Sequence, residues 1–209
     1  MFVDLHVHER AFSLDAKMTL EELVDRAREM GMGAVCVTDH DSLGIREEAE
    51  RYSRQIGFPI FVGVEVLTIQ GDIVAFGSPY AFQPRTIDAQ EFINYVHSYN
   101  EACFSAHPFR NNKRGLEEHL AKLHGLDGVE VLNGSTSLEG NRKALEYAHN
   151  LGLQTLGVSD AHDLKQLGKY VTWLPGEPSD LRSFIDILRS GECRPAIWED
   201  GAFRIADSF

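Results

Sequence analysis

Five short apolar runs, each ending in histidine or carboxylate, constrain this chain more than any other feature. They read Val3-Asp4-Leu5-His6-Val7-His8, Val35-Cys36-Val37-Thr38-Asp39-His40-Asp41, Val62-Gly63-Val64-Glu65, Phe104-Ser105-Ala106-His107-Pro108 and Gly157-Val158-Ser159-Asp160-Ala161-His162. Five of the nine histidines fall in these runs. The stems are strand-like, and the donors sit at their C-terminal ends. Side chains gathered after successive strands are how an α/β barrel assembles an active site. Imidazole and carboxylate together suit Zn, Mn or Fe.

Helical stretches separate the strand-like runs. Thr19-Leu20-Glu21-Glu22 has capping-box spacing and opens a helix that Gly31 and Gly33 end. Further helices are expected over about 44–55, 88–101, 116–123, 139–150 and 179–190, with strands at 34–38, 60–66, 102–106, 128–132, 154–159 and 193–198. A hairpin-like return at 72–76 follows Gly71-Asp72. The alternation predicts parallel strands joined by crossovers. A full eight-fold barrel takes about 250 residues. At 209 residues the expectation is one domain, 1–209, built as a seven-stranded or otherwise irregular TIM-like barrel.

The bulk properties exclude several classes. No run approaches the roughly 18 apolar residues of a membrane helix. Asp4, His6 and His8 interrupt what would be a signal peptide's apolar core. Cys36, Cys103 and Cys193 form no CxxC pair or disulfide framework, so a reducing cytoplasm is expected. A formal charge of −12 argues against an extended nucleic-acid footprint. Anionic substrates remain compatible, because bound cations reverse the local sign.

His6 and His8 stand at i and i+2, so on a strand they share a face, with Asp4 placed to orient them. His40 is the candidate donor of the second run, where Asp39 and Asp41 either orient it or cap the next helix. Glu65 sits in an apolar run, where a lone carboxylate is costly unless paired or metal-bound. A bridge between two ions accounts for it. His107 precedes the strand-stopping Pro108, and Asp160 and His162 repeat the i, i+2 spacing. Asp15 lies in the loop after the first run. His97, His119, His124 and His149 lie in helical or connecting segments and are expected to be surface residues. One ion with an open position needs about three protein ligands, so this many donors fit two or three clustered ions. Paired ions clamp the attacking and leaving oxygens of a phosphoryl displacement.

In this order the motifs DLHVH, TDHD, GVEV, AHP and GVSDAH resemble the PHP (polymerase and histidinol phosphatase) family, over Asp4 to about His162. The resemblance implies an irregular (β/α)7 barrel holding two or three Mn, Fe or Zn ions that hydrolyse phosphate esters with a metal-activated water. Carried over, His6, His8, Glu65 and Asp160 would hold one ion. Glu65 would bridge to a second, bound also by His107, and His40, His162 and Asp15 would hold a third. One departure stands out. Where many members place a further histidine ligand, Gly71-Asp72-Ile73-Val74-Ala75-Phe76-Gly77 puts Asp72, so either Asp72 is a weaker metal ligand there or the second site is left with Glu65 and His107 alone. The loop after His8 also lacks the family's usual Ser-Asp-Gly pattern.

The leading expectation is a stand-alone phosphoesterase acting on a small phosphomonoester or nucleotide, with Glu65, Asp160 and Arg110 as catalytic groups. A metal-dependent amidohydrolase also pairs HxH with a late Asp. Against it stand the short chain and the missing bridging lysine. A non-catalytic, metal-stabilised regulatory domain is the third reading. Arg110, Lys113 and Arg114 follow His107 and are placed to hold phosphate, which arginine grips bidentately. Asn133, Gly134 and Ser135 follow a strand and are placed to line the pocket.

Overall fold

Thr19 starts the first helix as its spacing predicts. Its hydroxyl accepts from the Glu22 N–H at 3.1 Å, and its own N–H donates to the Glu22 carboxylate at 2.9 Å. Four more helices follow α1 (Leu20–Glu29): α2 (Arg46–Ile56), α3 (Ala89–Ser98), α4 (Leu138–Leu151) and α5 (Leu181–Leu188). Asp88, Ser137 and Asp180 cap the last three. Gly57 and Gly152 end α2 and α4 at φ +63° and +65°, a conformation costly for residues with a Cβ. The helix expected over 116–123 is instead a 3-10 helix, Glu117–Lys122. Glu117 has φ +49° and donates its N–H to the Pro108 carbonyl, which ties the segment's start to the preceding loop.

This computed structural model describes residues 1–206; the last three residues of the expected 1–209 domain lie outside the described residues. The strands are β1 (Phe2–Asp4), β2 (Ala34–Val37), β3 (Ile60–Leu67), β4 (Asp72–Phe76), β5 (Ala102–Ser105), β6 (Gly128–Asn133), β7 (Thr155–Val158), β8 (Tyr170–Trp173), β9 (Arg194–Glu199) and β10 (Ala202–Ile205). They form one sheet in the order β10-β9-β8-β1-β2-β3-β4-β5-β6-β7. The sheet is mixed rather than parallel. β1, β2 and β3 run parallel, as do β5, β6 and β7, but β4 pairs antiparallel with both β3 and β5. The short β3–β4 connection compels this, since a tight turn can only reverse the chain. β8 and β10 were not anticipated. Both join the antiparallel edge, and β9–β10 turn at Asp200-Gly201, both at positive φ, the pairing such hairpins prefer.

Beyond Asp4 the first strand stays bonded to the end of β2, where the Thr38 N–H donates to Val7 O, and also runs beside the end of β7. The Asp160 N–H donates to His6 O and the His8 N–H to Ala161 O, each at 3.0 Å. Thr172 links β8 to β7 by donating to Gly157 O at 2.7 Å. The sheet therefore curls back on itself. Along its inner face the strand period of two sets Phe61, Gly63 and Glu65 in one row and Phe76, Val74 and Asp72 in another. Apolar members pack below with Leu5, Phe104 and Val158, and α5 inserts Phe184 against Phe61 at a 4.2 Å ring separation. The carboxylates end up at the other rim. Outer-face residues such as Val35, Val62, Val64 and Val129 pack against the surrounding helices. No helix among the described residues is long and apolar enough to cross a membrane.

Candidate metal centre

The C-terminal ends of β1, β2, β3, β5 and β7 converge on one rim, and each delivers donors to it. His6 and His8 are fully buried, and their Nε2 atoms face each other at 3.0 Å. Each ring is held from behind: His6 Nδ1 lies 2.7 Å from Glu130 Oε1, and His8 Nδ1 lies 3.3 Å from Ser13 Oγ. Asp160 Oδ1 stands 3.4 Å from His8 Nε2 and 3.8 Å from His6 Nε2. His107 and Asp160 leave their strands at φ +25° and +52°, left-handed conformations that turn the chain at the rim.

Glu65 is the hub. Its Oε1 lies 2.8 Å from His107 Nε2 and 3.5 Å from His6 Nε2. Its Oε2 lies 2.5 Å from His40 Nδ1 and 3.7 Å from His8 Nε2. One fully buried carboxylate thus turns each oxygen to a different pair of imidazoles. His162 Nε2 and His40 Nε2 are 3.5 Å apart, and Asp15 Oδ2 reaches both, at 3.4 and 3.3 Å, from the solvent side.

Two arginines of the loop after β5 press on this cluster. Arg110 donates to Asp160 Oδ2 at 2.7 Å. Arg114 grips Asp72 bidentately, Nε to Oδ2 at 2.7 Å and Nη2 to Oδ1 at 3.0 Å. Asp72 Oδ2 stands 3.7 Å from His107 Nε2. Lys113 is exposed and presents its backbone carbonyl to Arg85.

Several supporting residues were missed or misassigned from sequence. Glu130 is fully buried and binds three groups: His6 Nδ1, the His107 N–H at 2.7 Å and Asn133 Nδ2 at 2.9 Å. Its signal was the same lone carboxylate in an apolar strand that marks Glu65. Asp39 neither orients His40 directly nor caps a helix; it accepts from Ser13 Oγ and the Glu9 N–H and so fixes the loop that holds His8. Asp41 accepts from the Leu67 N–H, while α2 begins later, after Ile45, so it caps nothing. Asp4 does not touch the imidazoles. It accepts from the Ser159 and Gly168 N–H groups and pins the end of β7. Asn133 reaches Asp160 Oδ2 at 3.3 Å. His97 lies apart from the centre, beside Cys103 and Asp127, where Asp127 Oδ2 accepts both the Cys103 N–H and His97 Nε2.

The electrostatics follow from crowding charges out of water. Burial opposes a charged His6, but Glu130, Glu65 and Asp160 outweigh it and hold the imidazole well above its ordinary value. Burial drives His8 the other way, to about 3, with His6 and His40 adding to the effect. Burial opposes charge on Glu65, yet His6, His107 and His40 hold it well below the carboxylate range. His107 rises to about 9 despite burial, because Glu65 sits against it. Burial, reinforced by Glu65, lifts Asp72 to about 7 against the pull of His107 and Arg114.

The donor set fits divalent ions. Glu65 Oε2 and Asp160 Oδ1 are buried without hydrogen-bond partners, His40 lying close to Oε2 but not aligned with it. Such orphaned polar atoms are costly unless something binds them. Three sets of donors, each within 4.8 Å, are His6/His8/Asp160, His6/Glu65/His107 and His8/His40/His162.

Known proteins share this chain's sequence pattern and its fold. The model of the PHP domain matches residues 4–141, and one described as PHP-associated matches residues 139–193. The uncharacterized protein MJ0417 of Methanocaldococcus jannaschii is 29% identical over 207 residues, covering 90% of this chain and 79% of that protein. A two-domain protein of Bacteroides vulgatus containing a predicted PHP-like metal-dependent phosphoesterase superposes with a TM-score of 0.72 at 18% identity, covering 93% of this chain and 64% of that one. The lesion-specific endonuclease PfuEndoQ of Pyrococcus furiosus gives 0.69 at 16% identity, covering 93% and 57%. At these identities the structural likenesses speak to the fold.

Proposed function

This chain belongs to the PHP domain family, and from that premise we propose that it hydrolyses a phosphate ester at the Glu65-centred cluster, as one domain, with two or three Mn, Fe or Zn ions. The observation that carries the reading is Glu65 itself. Its two oxygens face different histidine pairs, as a carboxylate shared between neighbouring ions must. His6, His8, Asp160 and Glu65 would hold one ion, Glu65 and His107 a second, and His40 and His162 a third, with Asp15 in reach at the open side. Asp72 stands at the edge of this set with its carboxylate turned to Arg114. Bound ions of this kind supply a water of lowered pKa and neutralise charge on the phosphoryl oxygens.

The chain's own residues have distinct tasks. Glu130 and Ser13 fix the ring orientation of His6 and His8, so both Nε2 atoms stay aimed at one point. Arg110, 29% exposed, stands between Asp160 and solvent, where its free N–H groups can take a phosphoryl oxygen. The three buried thiols support a reducing, cytoplasmic setting.

The substrate we favour is a small phosphomonoester or nucleotide, on the ground of the acidic surface. The likeness to PfuEndoQ supports a second reading, a phosphodiester in nucleic acid. Metal-reconstituted protein assayed against sugar phosphates, nucleotides, histidinol phosphate, a chromogenic diester and an abasic duplex separates them. Turnover of amides or lactones with none of phosphate esters would sink both.

A further inference from the structure

Arg114 is placed unlike any other cation of the described residues near the centre. Its guanidinium meets both oxygens of the buried Asp72, while Nη2 also lies 3.4 Å from His40 Nδ1 and 3.7 Å from Glu65 Oε2. Arginine remains protonated at any working pH, so this positive charge is permanent. It occupies the corner where β2, β3 and β4 bring His40, Glu65 and Asp72 together. Asp72 belongs to none of the three donor sets, although it is fully buried and 3.7 Å from His107. Both of its oxygens are already engaged by a planar fork that fits a carboxylate.

We propose that Arg114 sets the metal stoichiometry of this centre: it withholds Asp72 from coordination and stands in for a divalent ion at the Asp72–Glu65–His40 corner. The argument is one of charge and geometry. A fixed cation beside Glu65 repels a divalent ion bound nearby, and in a partly buried site that repulsion is poorly screened. It bears on both sets it adjoins, through His40 and through Glu65, and most on His6/Glu65/His107, to which Asp72 would otherwise add a fourth donor. Removing the charge frees Asp72 and relieves the repulsion together. The inference rests on the metal-centre reading above.

The test is metal stoichiometry and affinity, read without any substrate. Wild type, Arg114→Gln, Asp72→Asn and the double variant are loaded with Mn, Fe or Zn, desalted, and measured by elemental analysis, with stepwise affinities from titration and folding checked by circular dichroism. Glutamine keeps a polar N–H donor and the start of the side chain, but it is two bonds shorter and carries neither the charge nor the fork. Arg114→Gln should bind up to one further equivalent, or hold the weakest ion at least ten-fold tighter. Asp72→Asn alone should leave metal content at the wild-type value, and the double variant should lose the gain. Loss of an equivalent in Asp72→Asn would show that Asp72 is a ligand despite Arg114 and overturn the proposal. Wild-type binding by Arg114→Gln would overturn it too. Wild type that retains no metal under any loading removes the metal-centre reading itself, a distinct result.

Discussion

Glu130 Oε1 lies 2.7 Å from His6 Nδ1, and its Oε2 accepts the His107 N–H at the same distance, so one buried carboxylate positions two donors from separate strands. It touches neither Nε2. Glu130→Gln keeps the shape but weakens its hold on both residues. Metal affinity should fall by about 10- to 100-fold, the usual result of removing such an orienting group. Titration of the variant against wild type measures this; unchanged affinity would mean that the rings are held by packing alone.

Glu65→Gln should lower metal content and hydrolysis together, because sharing an oxygen pair between cations depends on the negative charge. His119→Asn and His149→Asn should change neither, since both sit outside the donor sets. Elemental analysis paired with an assay on the best substrate decides. Equal losses in Glu65→Gln and His149→Asn would mean that the wrong residues have been assigned to the centre.

Glu65 was legible in the sequence because a lone carboxylate in an apolar run demands a partner. Glu130 carried the same mark, but no histidine stands beside it in the chain, and its two histidine partners lie 124 and 23 residues away. The same limit misassigned Arg114, expected to hold phosphate but gripping Asp72, 42 positions earlier. The rhythm of strand and helix gave away an α/β sheet with its site at one rim. Apart from the hairpin-like return at 72–76, which became the antiparallel β3–β4 pair, it did not give the pairing direction. That depends on connection length, and the four-residue β8 was too short to declare itself. Asp200-Gly201 was a readable hairpin signal that the alternation of longer elements obscured.

Burial pushes the Asp4 carboxyl from 3.8 up to about 6 even though the Ser159 and Gly168 N–H groups donate to it. A carboxyl whose folded value is raised favours folding fully below 3.8, and that favour is lost as pH rises through about 6. Asp4→Asn carries no such charge. Its destabilising cost should therefore be smaller at pH 8 than at pH 5, by about 1 kcal/mol. Denaturant unfolding of metal-free protein at both pH values reads the difference directly. An equal cost at the two values would show that Asp4 titrates normally in the folded chain.

Arg110 donates to Asp160 Oδ2 while remaining 29% exposed, which places it between Asp160 and solvent. A guanidinium there can stabilise charge developing on phosphoryl oxygens without itself holding an ion. Arg110→Ala should leave metal content intact and reduce kcat/KM by about ten-fold or more, roughly 1.4 kcal/mol of transition-state stabilisation. Lys113→Ala should do less, because its side chain is exposed and only its backbone carbonyl is engaged, by Arg85. Steady-state kinetics with metal analysis of each variant separate the outcomes. A loss of metal in Arg110→Ala would recast the residue as a support for Asp160. Unchanged kinetics would return it to the solvated surface and leave phosphate recognition to the remaining groups of the rim.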